Sequence, residues 1–391
     1  MNSLENRIYS SLYTVKLNNL DLNIDLDFIK QSDIFKKKNI SPETDIALSI
    51  KKIEYLNIIN FDNIIKNKYN SSLENILNKN YDIKEFINYD FYGNNINSPF
   101  ISSRILRSII NNLNTKTIYE FGKRKIIIFS KGDIENKFIN TINSIFNFFD
   151  ILTNKENYYY LEFFLTSKKK FINFNLDSLD PDNINSGATL PGSFIYIFRK
   201  EEFVKVLFHE LVHYLHLDMV RYQDKFKDLY KKINLKASII NPNEAYTELV
   251  ALLLMTVWKY YENEYNINLS DFINKKLTIE LGWSYYQISK ILKFFKCYNR
   301  YEQLFSNNCE FRQNSNVLSY FILKTYFLQN INIILSKFNI NDLKMNKKKS
   351  DFIFNNTNLL DTTFTHNINR ILHSTLNNKN NDISLRMTCL N

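Results

Sequence analysis

The stretch that most constrains the fold runs from residue 194 to 218, where "FIYIFR" passes almost directly into "EEFVKVLFHELVHYLHLD". A short apolar run followed at once by apolar residues at helical spacing reads as a buried strand feeding a helix, predicted over 201–217. Phe203, Val206, Leu207, Leu211 and Val212 supply its apolar face, and Glu201 and Glu202 suit its positive N-terminal end. The same helix carries His209, Glu210 and His213, and buried polar groups of that kind need partners from another part of the chain.

The surrounding pattern defines the fold class. "KIIIFS" (125–130), the helical "IENKFINTINSIFNFFDIL" and the strand-like "YYYLEFFLT" (158–166) form β-α-β material. A polar segment over 175–193, holding Pro181, Gly187, Pro191 and Gly192, reads as a loop before the strand 194–199. From residue 200 the pattern is helical, with helices expected at 201–217, 222–232, 242–262, 270–279, 283–297, 316–329 and 331–338. Strands first and helices afterwards give an α+β, two-lobed body: a mixed sheet lobe with helices, a mainly helical C-terminal lobe, and the histidine helix between them. The N-terminal signals are mixed, with alternation in "YTVKLNNLDLNIDL" and helices near 73–78 and 101–113. The expected divisions are 1–115, an α+β region; 116–220, sheet and histidine helix; 221–340, the helical subdomain; and 341–391, a polar tail with one helix near 364–376.

Composition narrows the function classes. The chain has 391 residues, 45% hydrophobic and 15% aromatic, enough for a substantial core. Gly (6) and Pro (5) are scarce while Asn, Lys, Ile, Phe and Tyr abound, which follows AT-rich codons. The net charge of +10 therefore owes more to codon bias than to an anionic partner. The runs "SKKK" (167–170) and "KMNKKKS" (344–350) read as solvated loop charges, with no aromatic-rich motif for specific nucleic-acid binding. Cys297, Cys309 and Cys389 lack CxxC spacing and read as free thiols in a reducing compartment. No secretory signal is visible, and the longest apolar run, "LVALLLMTVW", is about half a bilayer span, so a soluble cytoplasmic protein without a transmembrane segment is expected.

The chemistry lies in the histidines. Three of the five in the chain, His209, His213 and His216, fall within eight positions. Residues four apart on a helix project from one face about 6 Å apart, so His209 and His213 can grip one metal ion. Glu210, beside the first, can take a proton from water at that ion, and zinc lowers the water pKa to about 7. His216 shares the face, but the outer two of three residues in line are separated by about 10 Å of helical rise. It reads as a packed or hydrogen-bonded neighbour of the ligands.

A third ligand must come from elsewhere, and "NPNEAYTELVALLL" (241–254) offers one. Asn241 can cap a helix, Pro242 fits its first position, and Glu244 and Glu248 follow four apart on one face. Either can complete a His₂Glu site with a position left for water. The spacing of Asn241 and Glu244 also fits a capping box, which would occupy Glu244 at the helix N-terminus.

On these residues the chain resembles the zincin metallopeptidases of the gluzincin type, in which H-E-x-x-H is completed by a glutamate on a later helix. "NEAYTE" is similar to the N-E-A-x-S-D element of thermolysin-like enzymes. The resemblance implies a zincin-like fold, Zn²⁺ as cofactor, Glu244 as ligand and Glu248 as partner to a ligating histidine, in place of the family's aspartate. It also implies a sheet over the active-site helix whose edge strand binds peptide by strand addition, with "FIYIFR" in the corresponding place. The spacing from His213 to Glu244 is closer to clostridial neurotoxin light chains and the lethal-factor type than to thermolysin. "NEAYTELVALLL", "SYYQISKILKFF" and "VLSYFILKTYF" resemble metallopeptidase-like proteins of large DNA viruses, which implies a viral protein located in host cytoplasm or virion.

Peptide hydrolysis further needs a donor for the oxyanion. Tyr320, Tyr246, Arg312, His366 and His373 are candidates, with Tyr320 favoured because it lies on a helix with Lys324 one turn later. The reading is a zinc endopeptidase acting on a peptide or protein substrate. The alternatives are a non-catalytic binding or structural protein on a zincin scaffold with zinc kept for stability, which has no use for Glu210, and a metal hydrolase of another amide.

Overall fold

The computed structural model describes residues 50–55, 101–218, 233, 235–237, 241–263, 265–306, 309–337, 342–376 and 383–390. The alternating run at 13–26 and the helices expected near 73–78 and over 222–232 lie outside the described residues.

Six strands form a mixed sheet: β1 Ile50–Tyr55, β2 Thr115–Phe121, β3 Arg124–Ser130, β4 Tyr159–Phe164, β5 Gly187–Leu190 and β6 Phe194–Ile197, in the order β1-β2-β3-β4-β6-β5. β3, β4 and β6 are parallel, while β1 and β2 on one side and β5 on the other run antiparallel to their neighbours. Side chains alternate between faces along each strand. Ile126 and Ile128 thus enter the main core with Leu161, Phe163, Ile195 and Ile197, whereas Ile127, Phe129, Phe164 and Tyr196 face the other way. There they pack on Ile105, Leu106 and Ile109 of α1 (Ser103–Asn112). Both faces are covered, which explains why these strands read as unbroken apolar runs.

The main core lies on the other face. It takes in α2 (Asn136–Thr153), which links β3 to β4, and α4 (Phe203–Tyr214), the histidine helix. A short α3 (Pro181–Ile184) precedes β5. Here the structure corrects two sequence readings. The segment 175–193 is not all loop, because it contributes α3 and β5. The sheet edge beside the histidine helix is therefore β5, and "FIYI" (β6) is an inner strand between β4 and β5. A four-residue strand starting at glycine carries too little periodicity to be read from sequence.

Beyond α4 the chain is mainly helical: α5 Asn243–Glu262, α6 Leu269–Phe294, a π-helical turn at Leu318–Leu323 running into α7 Lys324–Gln329, α8 Ile331–Leu335, α9 Lys347–Asn355 and α10 Thr362–Leu376. The two helices expected at 270–279 and 283–297 are one. Gly282 interrupts the pattern, yet a single helical glycine costs about 1 kcal/mol, less than the burial of Leu281, Trp283 and Tyr285 beside it returns. A small parallel pair, β7 Leu235–Ala237 with β8 Phe311–Gln313, joins distant parts of this lobe.

Residues after 340 are more than a polar tail. They form α9 and α10, and 383–390 then runs through the interior, burying Leu385, Met387, Cys389 and Leu390. Leu385 N–H donates to Lys170 O (3.3 Å), Trp283 Nε1 donates to Arg386 O (3.2 Å), and Thr388 N–H donates to Glu202 Oε1 (2.8 Å). The segment thereby ties the sheet side to α6. Three further readings change with it. Lys170 of the "SKKK" run is buried and paired with Glu202 at 2.9 Å, and Lys349 is buried against Asp342. Glu202 stands in the left-handed region (φ 58) with its carboxylate on Lys170 rather than on the helix N-terminus. Cys297 and Cys309 are disulfide-bonded, with Cα atoms 5.5 Å apart, and of the three only Cys389 is a free, buried thiol. Among the described residues no helix is long and apolar enough to cross a membrane.

Candidate metal centre

α4 and α5 pack against one another and bring three donors together. His209 and His213, one turn apart on α4, present their Nε2 atoms 3.0 Å from each other. Glu244, in the first turn of α5, places Oε2 3.3 Å from His209 Nε2 and 3.4 Å from His213 Nε2. All three residues are at least largely buried, and the group can hold a metal ion. A tetrahedral zinc with bonds of about 2.0–2.1 Å has ligand-to-ligand edges of about 3.3–3.4 Å, so the triangle has the dimensions of one face of such a site.

The outer side of each ring is occupied by a carboxylate. His213 Nδ1 lies 2.6 Å from Asp218 Oδ2, and His209 Nδ1 lies 2.7 Å from Glu248 Oε1. A ring that gives its Nδ1 proton to a carboxylate turns a lone pair outward at Nε2. His213 forms that bond with Asp218, whereas His209 Nδ1 meets Glu248 Oε1 as a close ion-pair contact only. Glu244 Oε2, facing both Nε2 atoms, is a buried oxygen that accepts no hydrogen bond. A cation at that point would satisfy all three groups.

The titration shifts agree with this in direction. Burial alone would lower the pKa of His213, but Asp218 and Glu244 outweigh it and hold the ring well above the usual imidazole range. For His209 burial is likewise overcome, chiefly by Glu248 and then Glu244. Burial would raise Glu244, yet His213 and His209 hold it far below the usual carboxylate range, and Lys205 and His209 do the same for Glu248.

Local structure explains how each group arrives. α4 ends at Tyr214, and His216 takes a left-handed conformation (φ 55) as the chain reverses, with Leu217 N–H donating to Val212 O. That reversal returns Asp218 to His213, where it also accepts from Thr247 Oγ1 of α5 at 2.9 Å. His216 is thus off the helix and exposed, its Nε2 near Gly192, while the carboxylates that meet the two rings at Nδ1 are Asp218 and Glu248. At the start of α5, Asn241 accepts from Asn243 N–H through Oδ1 and donates to Glu244 Oε1 at 3.1 Å. Capping and metal ligation are therefore compatible, since Asn241 takes one glutamate oxygen and leaves the other for the histidines.

Glu210 sits beside the triangle. Its Oε2 accepts from Thr189 Oγ1 of β5 at 2.7 Å. Gly187, two residues earlier on the same face of β5, leaves the room it needs. Burial raises the Glu210 pKa, against the pull of His209, His213 and the Thr189 hydrogen bond. Tyr320, on the π-helical turn, sets its ring edge-on to His209 with centroids 6.0 Å apart. Burial, with Glu244, Glu248 and Glu210, pushes its pKa well up, so the phenol keeps its proton.

The other oxyanion candidates are elsewhere. Tyr246 OH donates to Leu343 O, Arg312 is exposed against Glu310, and His366 and His373 lie exposed on α10. Sequence reasoning gave no role to Asp218, Thr189, Gly187 or Lys205. An acid five residues after His213, at the helix end, was a readable signal for Asp218; nothing local marked the β5 pair.

The structure is thus an α+β protein with a buried His₂Glu group able to hold a metal ion. The chain is 27% identical over 357 residues to "Uncharacterized protein R210" of Acanthamoeba polyphaga mimivirus, an alignment spanning 84% of this chain and 85% of that protein. No family model and no solved structure matches it.

Proposed function

We propose that the chain is a zinc-dependent metallopeptidase of the gluzincin type. The observation that carries this reading is Glu210, a buried carboxylate next to the ligand triangle, tied to the neighbouring sheet edge through Thr189. A site that serves only stability needs His209, His213 and Glu244 and gains nothing from a fourth, costly buried acid at that place.

His209, His213 and Glu244 would hold the ion, with Glu248 and Asp218 fixing the rings. When bound, zinc supplies Lewis acidity, making water a stronger acid and a carbonyl a better electrophile. Glu210 accepts a proton from the attacking water as the C–O bond forms. It delivers that proton to the amide nitrogen as the C–N bond breaks, releasing a carboxylate and an amine. Its raised pKa suits both directions of transfer. The Tyr320 hydroxyl, kept protonated, donates to the oxygen that gains charge. β5 is the terminal strand of the sheet next to the site, and an extended peptide added to it would bring its backbone alongside Glu210.

The test is metal analysis with a peptide-library cleavage assay. Wild type should carry about one zinc per chain, Glu244→Ala should lose it, and Glu210→Gln should keep the metal while cleavage falls by about 10²–10⁴-fold. Full activity in Glu210→Gln would defeat the mechanism.

A further inference from the structure

Lys205 precedes His209 by one turn of α4, so both side chains leave the same face of the helix. Glu248 of α5 stands opposite, between them. Lys205 Nζ bonds both carboxylate oxygens of Glu248, and Oε1 of the same carboxylate lies 2.7 Å from His209 Nδ1. The lysine side chain is 2% exposed and that of the glutamate 1%. Met387 Sδ, at 3.5 Å from Nζ, closes the pair from the side of the 383–390 segment.

A fully buried ion pair is a weak source of stability, because desolvating two charges offsets most of their attraction and apolar residues of the same volume do as well. Packing alone therefore does not account for an ammonium at this position. Its geometry does. A carboxylate held at one oxygen by an imidazole can still swing about its side-chain bonds. One gripped at both oxygens by a buried ammonium has its plane fixed, and with it the direction from which it meets His209.

We propose that Lys205 is a positioning residue of the metal centre: by clamping both oxygens of Glu248 it holds His209 with Nε2 aimed at the ion. The inference rests on the metal-site reading above but not on the reaction assigned to it. Lys205 touches neither the ion nor a substrate and acts only through Glu248.

The experiment uses the full chain, with zinc affinity read by competition against a chromophoric chelator and ligand geometry by the visible spectrum of the cobalt(II)-loaded protein. Lys205→Met should bind zinc about 10–100-fold more weakly, the range for losing a group that orients a ligand, with shifted cobalt bands. Lys205→Arg, which restores the cation, should recover most of the loss. A purely structural lysine would lower stability and leave the affinity and spectrum of the folded protein untouched. Lys205→Met with wild-type affinity and bands overturns the proposal. If Lys205→Met does not fold, Lys205→Met/Glu248→Gln, which buries neither charge, is compared with Glu248→Gln. Equal zinc affinity supports action through Glu248, and a further loss in the double variant overturns it. Zinc binding without peptide cleavage in wild type would defeat the hydrolytic reading and leave this inference standing; no zinc binding at all would defeat both.

Discussion

Gly187 and Glu210 are matched across the boundary between the sheet edge and the histidine helix: a Cβ at 187 would lie 2.5 Å from Glu210 Oε1 and 2.9 Å from its carboxyl carbon. No side chain fits without displacing that carboxylate. Gly187→Ala should therefore cut peptide cleavage by at least about 100-fold, the lower end of what a misplaced general base costs, while zinc content stays at one per chain. Parallel activity and metal assays check it; loss of both together would mean the strand itself had moved.

Asp218 should matter to the metal as much as its distance from the motif hides it. Removing the acceptor from His213 Nδ1 in Asp218→Ala is expected to weaken zinc binding by about 10–100-fold. His216→Gly, two residues earlier, is the contrasting variant. It removes a left-handed residue bearing a Cβ from the turn, and it should leave zinc affinity within about twofold and stability within about 1 kcal/mol. Equal losses in both variants would assign His216 a part in the site.

The metal-free protein should lose the stability that His209, His213, Glu244 and Glu248 supply on both the alkaline and the acid side of a middle pH window. Stability from the raised imidazoles of His209 and His213 is fully present below their ordinary 6.5 and is lost as pH rises through their folded values. The depressed carboxylates of Glu244 and Glu248 contribute above their ordinary 4.5 and lose that contribution as pH falls through their folded values. The optimum thus lies between about pH 4.5 and 6.5. Zinc competes with the imidazole protons, so its stabilising effect should be larger at pH 8 than at pH 5.5. Urea titrations with and without zinc at the two pH values measure this.

A second buried pair tests the helical lobe independently of the metal. Lys324 Nζ bonds Glu280 Oε1 and Ser284 Oγ, each at 2.7 Å, and Glu280 Oε2 accepts from Thr388 Oγ1 and Cys389 N–H. Lys324→Met should cost about 3–5 kcal/mol, because it strands a buried carboxylate, and adding Glu280→Gln should return much of it. Zinc affinity of the folded variants should match wild type.

The group of donors that the structure brings together was legible because its pattern is written locally: His209 and His213 one helical turn apart and Glu244 behind a helix start, with Glu210 next to the first histidine. The order of β3, α2, β4 and the helices after 200 was legible for a related reason, since long segments repeat their period several times. What escaped depends on chain reversal and distance. Asp218 reaches His213 only because His216 turns the backbone, and Thr189 and Gly187 sit on a strand too short to show alternation. Lys170 and Lys349 read as surface charge, and Lys205 passed without a role, because sequence does not display the remote acids, Glu202, Asp342 and Glu248, that draw them inside. The pairing of Cys297 with Cys309 likewise exists only in three dimensions.

Residues 383–390 leave the ribosome after every element they brace. Until they emerge, Glu202 and Glu280 lack donors that lie 186 and 108 residues downstream. Closure of this interior thus depends on contacts of high sequence separation and is correspondingly slow. A nascent chain would therefore hold the helix that carries His209 and His213 against an unfinished interior until residues 383–390 join it.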